Sequence, residues 1–129
     1  LGTLAVLSVL AVGCMASMQN VTVTGTLKCV ADAVKDANVQ LMEYDFIDPN
    51  DLLAEGKSDA TGKFTLKGGE DEFFSIEPFI RVIHKCGVTE NSTCTRTNEY
   101  YVPKDKVGSA TPYDFGDLAL DKGYKEVCE

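Results

Sequence analysis

Val21-Thr22-Val23-Thr24-Gly25-Thr26-Leu27-Lys28-Cys29 has a period of two. Its odd positions are apolar, small or cysteine, and its even positions are three threonines and a lysine. A helix would bring residues three and four apart onto one face, so this alternation reads as a half-buried strand with a threonine-rich outer side. The same pattern recurs along the chain. Val39 and Leu41, with Glu43 as a candidate third, alternate with Gln40, Met42 and Tyr44. Gly56 to Asp59 runs into a turn at Ala60-Thr61-Gly62, where Gly62 supplies the positive φ the turn needs. Phe64 and Leu66 alternate with Thr65 and Lys67, and Gly68-Gly69 is expected to end that strand. Phe79 to Cys86 puts Ile80, Val82, His84 and Cys86 on one side, and Thr95–Val102, Asp114–Leu120 and a short strand after Asp121-Lys122-Gly123 follow. Seven to eight short strands predict a sandwich of two antiparallel sheets. Asp48-Pro49-Asn50-Asp51-Leu52-Leu53 offers an Asp cap with Pro at the first helical position, which predicts one short helical turn.

The chain has 129 residues, with 12 Lys+Arg against 20 Asp+Glu and a formal charge of −8. That length sets one domain. That charge argues against nucleic acid or anionic lipid as a partner held by charge alone. Residues 1–20 carry no charge, and Leu4 to Val12 is an apolar run interrupted only by Ser8. The run is too short to span a hydrocarbon core of about 30 Å. Cys14 and Ala16 place small side chains at the −3 and −1 positions of a signal-peptidase site. Residues 1–16 are therefore expected to be a signal peptide and residues 17–129 the mature domain. No initiator Met or basic segment precedes the run, so the leader is expected to be incomplete at its N-terminus. Gly13-Cys14 also offers a lipoprotein-type site, but Ala11 stands where such sites have leucine. Cleavage after Ala16 removes Cys14 and turns five cysteines into four: Cys29, Cys86, Cys94 and Cys128. In an exported chain this even number reads as two disulfides, with three possible connectivities. No CxxC pair is present, so zinc is disfavoured and no metal or cofactor is expected. Asn20-Val21-Thr22 and Asn91-Ser92-Thr93 are glycosylation sequons, of which Asn91 lies in the more polar stretch.

Three groups of residues become specific in combination. They are Val23-x-Gly25-x-Leu27-x-Cys29, then Ser58-Asp59-x-x-Gly62-x-Phe64-x-Leu66-x-Gly68, then Ile83-His84-x-Cys86, with Pro103 and Gly116-x-Leu118 beyond. In order and spacing they resemble the nematode transthyretin-like family of small secreted proteins, over roughly residues 21–128. The resemblance implies a transthyretin-like, or prealbumin-like, sandwich and an extracellular location. It implies an adaptor or binding role toward an extracellular protein, a cell surface or a lipid. Carriage of small apolar ligands in an oligomeric channel is the alternative, and hydrolysis the less favoured one. If the first and fifth strands end at the same pole of opposite sheets, Cys29 and Cys86 both point inward there. The expected pairs are then Cys29–Cys86 and Cys94–Cys128, with Cys86–Cys94 as the rival.

The remaining candidates have plain structural readings. His84 is the only imidazole. Its parity with Ile80 and Val82 makes it an inward, hydrogen-bonded residue rather than a general base. The hydroxyisourate hydrolase built on this fold uses several histidines, so no catalytic residue is assigned. Asp45, Asp48, Asn50 and Asp51 lack the EF-hand spacing and read as a helix cap. Glu70, Asp71, Glu72 and Glu77 read as a solvated loop. Phe73-Phe74 and Tyr100-Tyr101 each put one ring on either face of an extended segment, leaving one available for contact.

Overall fold

The computed structural model describes residues 17–44, 50–72 and 77–129. Strand follows strand: β1 (Ser17–Cys29), β2 (Asp32–Ala33), β3 (Asn38–Glu43), β4 (Asp51–Lys57), β5 (Lys63–Glu72), β6 (Pro78–His84), β7 (Thr95–Tyr101), β8 (Tyr113–Ala119) and β9 (Lys125–Val127). One sheet has β1 at its centre. β5 pairs with it antiparallel, the two-residue β2 folds back on its end, and β8 lies beside it. The other sheet has the order β4-β3-β6-β7-β9, antiparallel throughout. The pair β1–β8 is parallel, with a register shift between Thr24 and Thr26. The two sheets face each other as the alternation requires. Val21, Val23 and Leu27 from one meet Val39, Leu41, Ile80 and Val82 from the other, and all are essentially without solvent contact.

The β4–β5 turn passes the chain from one sheet to the other, and its chemistry is local. The Asp59 Oδ1 accepts from the Thr61 amide (2.8 Å), the Thr61 hydroxyl (2.7 Å) and the Lys63 amide (3.0 Å). The Thr61 hydroxyl, then the two amides, hold the Asp59 carboxyl below its usual range. Gly62 sits at φ 83°, where an added Cβ would lie 2.5 Å from the Leu27 carbonyl oxygen. Only glycine meets both conditions.

Two expectations are corrected. The segment read as a helical turn is extended from Asp51 onward, because Leu52 pairs with Met42 and Ala54 with Leu41 along the edge of β3. A sheet edge satisfies more backbone groups than one or two helical turns would. Asp48 and Pro49 lie outside the described residues. A 3-10 turn occurs instead at Lys104–Lys106, just after Pro103. β5 does not stop at Gly68-Gly69 but runs to Glu72 against β1. A Cβ on Gly68 would come within 2.9 Å of the Leu53 Cβ, so this glycine lets β4 and β5 pass closely rather than ending the strand. No helix among the described residues is long and apolar enough to cross a membrane.

Candidate functional site

β1 and β6 both end at one pole of the sandwich. There Cys29 is bonded to Cys86, with their Cα atoms 5.6 Å apart, and the bond ties one sheet to the other. Cys94 is bonded to Cys128, fastening the chain after β9 to the start of β7 within one sheet. The pole is completed by the chain between β2 and β3. Buried Ser58 holds it by accepting from the Ala37 amide (3.0 Å) and donating to the Val34 carbonyl. A cleft of about 570 Å3 opens beside the Cys29–Cys86 bridge. Val34, Ile83, Lys35, Lys57 and Lys85 are among its walls, and His84 lies on its inner side.

His84 is 5% exposed and lies on the inward face, as its parity indicates. Its Nδ1 accepts from the Cys86 amide at 3.1 Å, so Nε2 carries the hydrogen and donates to the Asn98 Oδ1 at 2.6 Å. Asn98, 2% exposed, passes the network on: its Nδ2 donates to the Lys122 carbonyl (2.7 Å) and the Tyr100 hydroxyl (3.1 Å). Burial is the main cause that lowers the His84 pKa, with the Arg96 charge assisting and the Asn98 bond opposing. Both ring nitrogens are engaged, so the imidazole is a structural element held neutral. A pH dependence follows. A depressed folded-state pKa means that the unfolded chain takes the proton first. The His84 contribution to stability is therefore constant above a pH of about 6.5. It falls as the pH drops below that value, until folded His84 is protonated too. Glu55 and Asp59, whose pKa values are also lowered, act only further into the acid range. Thermal unfolding from pH 7.5 to pH 5 checks this, and a midpoint that does not move over that span contradicts it.

At the other pole, Leu52, Met42, Phe79 and Tyr101 are paired in one continuous row across β4, β3, β6 and β7. By the pleat, Phe79 and Tyr101 lie on the sheet face opposite Ile80 and Val82, where Phe79 is covered to 1% exposure. Tyr101 is 55% exposed, and its ring centroid lies 4.9 Å from that of Phe79. The Arg81 guanidinium covers Phe79 at 5.6 Å and pairs with Glu99 at 2.8 Å. Leu52 is 52% and Tyr44 40% exposed, and a cavity of about 350 Å3 lies between Tyr44, Tyr101, Val102, Pro103 and Lys104. Tyr100 points the other way, into the Asn98 network, so the adjacent tyrosines divide as expected. Glu77 is paired with Lys104 at 3.2 Å. Phe73-Phe74, Asp45 and Asp48 lie outside the described residues, while Asp51 is an exposed residue of β4. Both sequon asparagines, Asn20 and Asn91, are exposed.

Sequence reasoning missed Asn98 and the approach of the three lysines. Asn98 carried a usable signal. It occupies the inward phase of β7, opposite Val82, where an amide must find partners. The lysines carried none, since they lie on separate segments.

A two-sheet sandwich closed at one pole by an inter-sheet disulfide defines a small transthyretin-like domain. The sequence model of the transthyretin-like family matches residues 24–103. Transthyretin-like protein 16 of Caenorhabditis elegans is 40% identical over 126 residues, covering 95% of this chain and 93% of that protein. Transthyretin-like protein 2 of the same organism is 33% identical over 138 residues, covering 93% and 91%. The chain belongs to the transthyretin-like family. Among solved structures, a 9R-lipoxygenase from Cyanothece PCC8801 superposes with a TM-score of 0.51 at 20% identity. The match covers 79% of this chain and 16% of that one, and it is a likeness of fold alone.

Proposed function

We propose that this chain is a secreted extracellular binding or adaptor protein with no catalytic activity of its own. The observation that carries the reading is the apolar row ending in exposed Leu52 and Tyr101, with Tyr44 beside it. Aromatic side chains with an apolar neighbour are enriched at the centres of protein contacts, and a monomer has little other use for them in solvent. Absence of catalysis is supported by the engaged state of the only imidazole and by the oxidised cysteines, which leave no thiolate nucleophile among the described residues. Export rests on the leader at residues 1–16 together with the two disulfides, and glycans at Asn91 and Asn20 would accompany it.

Affinity capture from native extracellular fluid tests the reading, with the wild-type domain compared with one carrying Leu52→Ser and Tyr101→Ser. The variant should hold its partner on the order of tenfold more weakly, as expected for loss of central contact residues. Equal recovery on both baits, or nothing above background on either, would count against it. The alternative, a carrier of small apolar ligands, requires a channel between subunits. A strictly monomeric mass in light scattering removes that alternative.

A further inference from the structure

We propose that the cleft beside the Cys29–Cys86 bridge binds a small amphipathic anion, an acidic head group on an aliphatic tail. It shares no lining residue with the cavity beside the aromatic row at the other pole.

Charge is the first argument. The chain carries 20 acidic against 12 basic residues, so an arbitrary cleft on its surface should be acidic. This one is lined by Lys35, Lys57 and Lys85 against a single acid, Asp36. The three lysines come from different places: the chain between β2 and β3, the end of β4, and the residue after β6. None of them forms an ion pair among the described residues, whereas Arg81, Arg96 and Lys104 each do. The Lys57 charge acts on Glu55, but the Glu55 carboxylate takes its hydrogen bonds from Gln40 and Asn38. Three cations left unpaired around one opening, on an acidic protein, leave a local field that attracts an anion.

Shape and lining are the second argument. Between the lysines the walls are mixed: Val34, Ala37, Ile83 and the disulfide give apolar surface, and Asn38, His84 and Thr95 give polar groups. The volume of about 570 Å3 lies within the range of small-molecule sites. Ammonium groups are compact, strongly hydrated point charges without a fixed fork geometry, so they suit a carboxylate or sulfate head more than they select one planar group. The apolar surface then receives the tail.

Preorganisation is the third. The wall between β2 and β3 is held by the Val34 amide to the Leu27 carbonyl (3.0 Å), the Asp36 amide to the Ser58 carbonyl (2.9 Å) and the Ser58 side chain. The opposite wall is fixed by the disulfide. A site already held open loses less entropy on binding. It lies within one chain and needs no channel between subunits.

Titration of the disulfide-intact domain with submicellar sodium decanoate, followed by calorimetry and methyl NMR, tests the proposal. Saturable binding is expected, with the methyl resonances of Val34 and Ile83 moving. Lys35→Gln, Lys57→Gln and Lys85→Gln together should weaken it on the order of tenfold, as three exposed charge contacts would. Decanol, which has the same tail without the charge, should bind more weakly by a similar factor. All three lysines are exposed, so the variant should keep the wild-type circular dichroism and melting temperature. Silent Val34 and Ile83 methyls, decanol binding as tightly as decanoate, or an unchanged affinity in the triple variant would each overturn the proposal. Binding to anionic vesicles without any binding of free decanoate would overturn it as well, since the site would then serve a membrane surface.

Discussion

Replacing Cys29 and Cys86 together with alanine should lower the unfolding free energy by about 4 kcal/mol. The bond closes a loop with a sequence separation of 57, and the chain-entropy relation gives that size for such a loop. For a domain of this length the melting temperature should drop by roughly 15 °C. The second bridge, with a separation of 34, closes a shorter loop worth about 0.5 kcal/mol less on the same relation. It also fastens only the three-residue β9 within one sheet, whereas Cys29–Cys86 joins the two sheets. Removing the first pair should therefore expose the core to hydrogen exchange globally, and removing the second should release the C-terminal strand first. A double alanine variant at positions 29 and 86 that melts within a few degrees of wild type would show that the inter-sheet bond is not what holds this pole closed.

The second large effect is at Asn98. Truncation to alanine removes one acceptor and one doubly used donor group from a site that is 2% exposed. The His84 Nε2–H, the Lys122 carbonyl and the Tyr100 hydroxyl each lose a partner. Leaving buried polar groups unpaired costs about 1–3 kcal/mol each, and relaxation and water recover part of that. The expected loss is about 3 kcal/mol in total. Denaturant unfolding should show the midpoint moving down with little change in slope, since the surface exposed on unfolding is nearly the same. A loss below about 1 kcal/mol, the worth of one ordinary hydrogen bond, would mean that the three bonds do not act as a unit.

Much of the architecture could be read from β1 and the Asp59–Gly62 turn. The period of β1 declares which side is buried. The Asp-x-x-Gly spacing fixes a turn whose hydrogen bonds are all local. The inward phase of Cys29 and Cys86 follows from the same alternation. Reading failed where a local preference met a long-range one. Asp48-Pro49-Asn50-Asp51 carries good helix-start chemistry, but residues 51–57 face the free edge of β3, and the ladder prevails. Gly68-Gly69 looks like a strand end until Leu53 is seen beside Gly68. The parallel pairing of β8 on β1 has no local signal, because it is set by how the chain returns from the other sheet. The lysine cleft was illegible for the same reason. Lys35, Lys57 and Lys85 each read as an ordinary solvated side chain, and only the closing of the pole by Ser58 and the disulfide brings them around one opening.

The central claim is that the chain is an oxidised sandwich whose two sheets are joined at the pole that carries the cleft. Non-reducing peptide mapping of protein isolated from its native extracellular source tests this most directly. The account predicts one peptide pair linked through Cys29 and Cys86 and a second through Cys94 and Cys128. A Cys86–Cys94 linked peptide, or four free thiols, would contradict it.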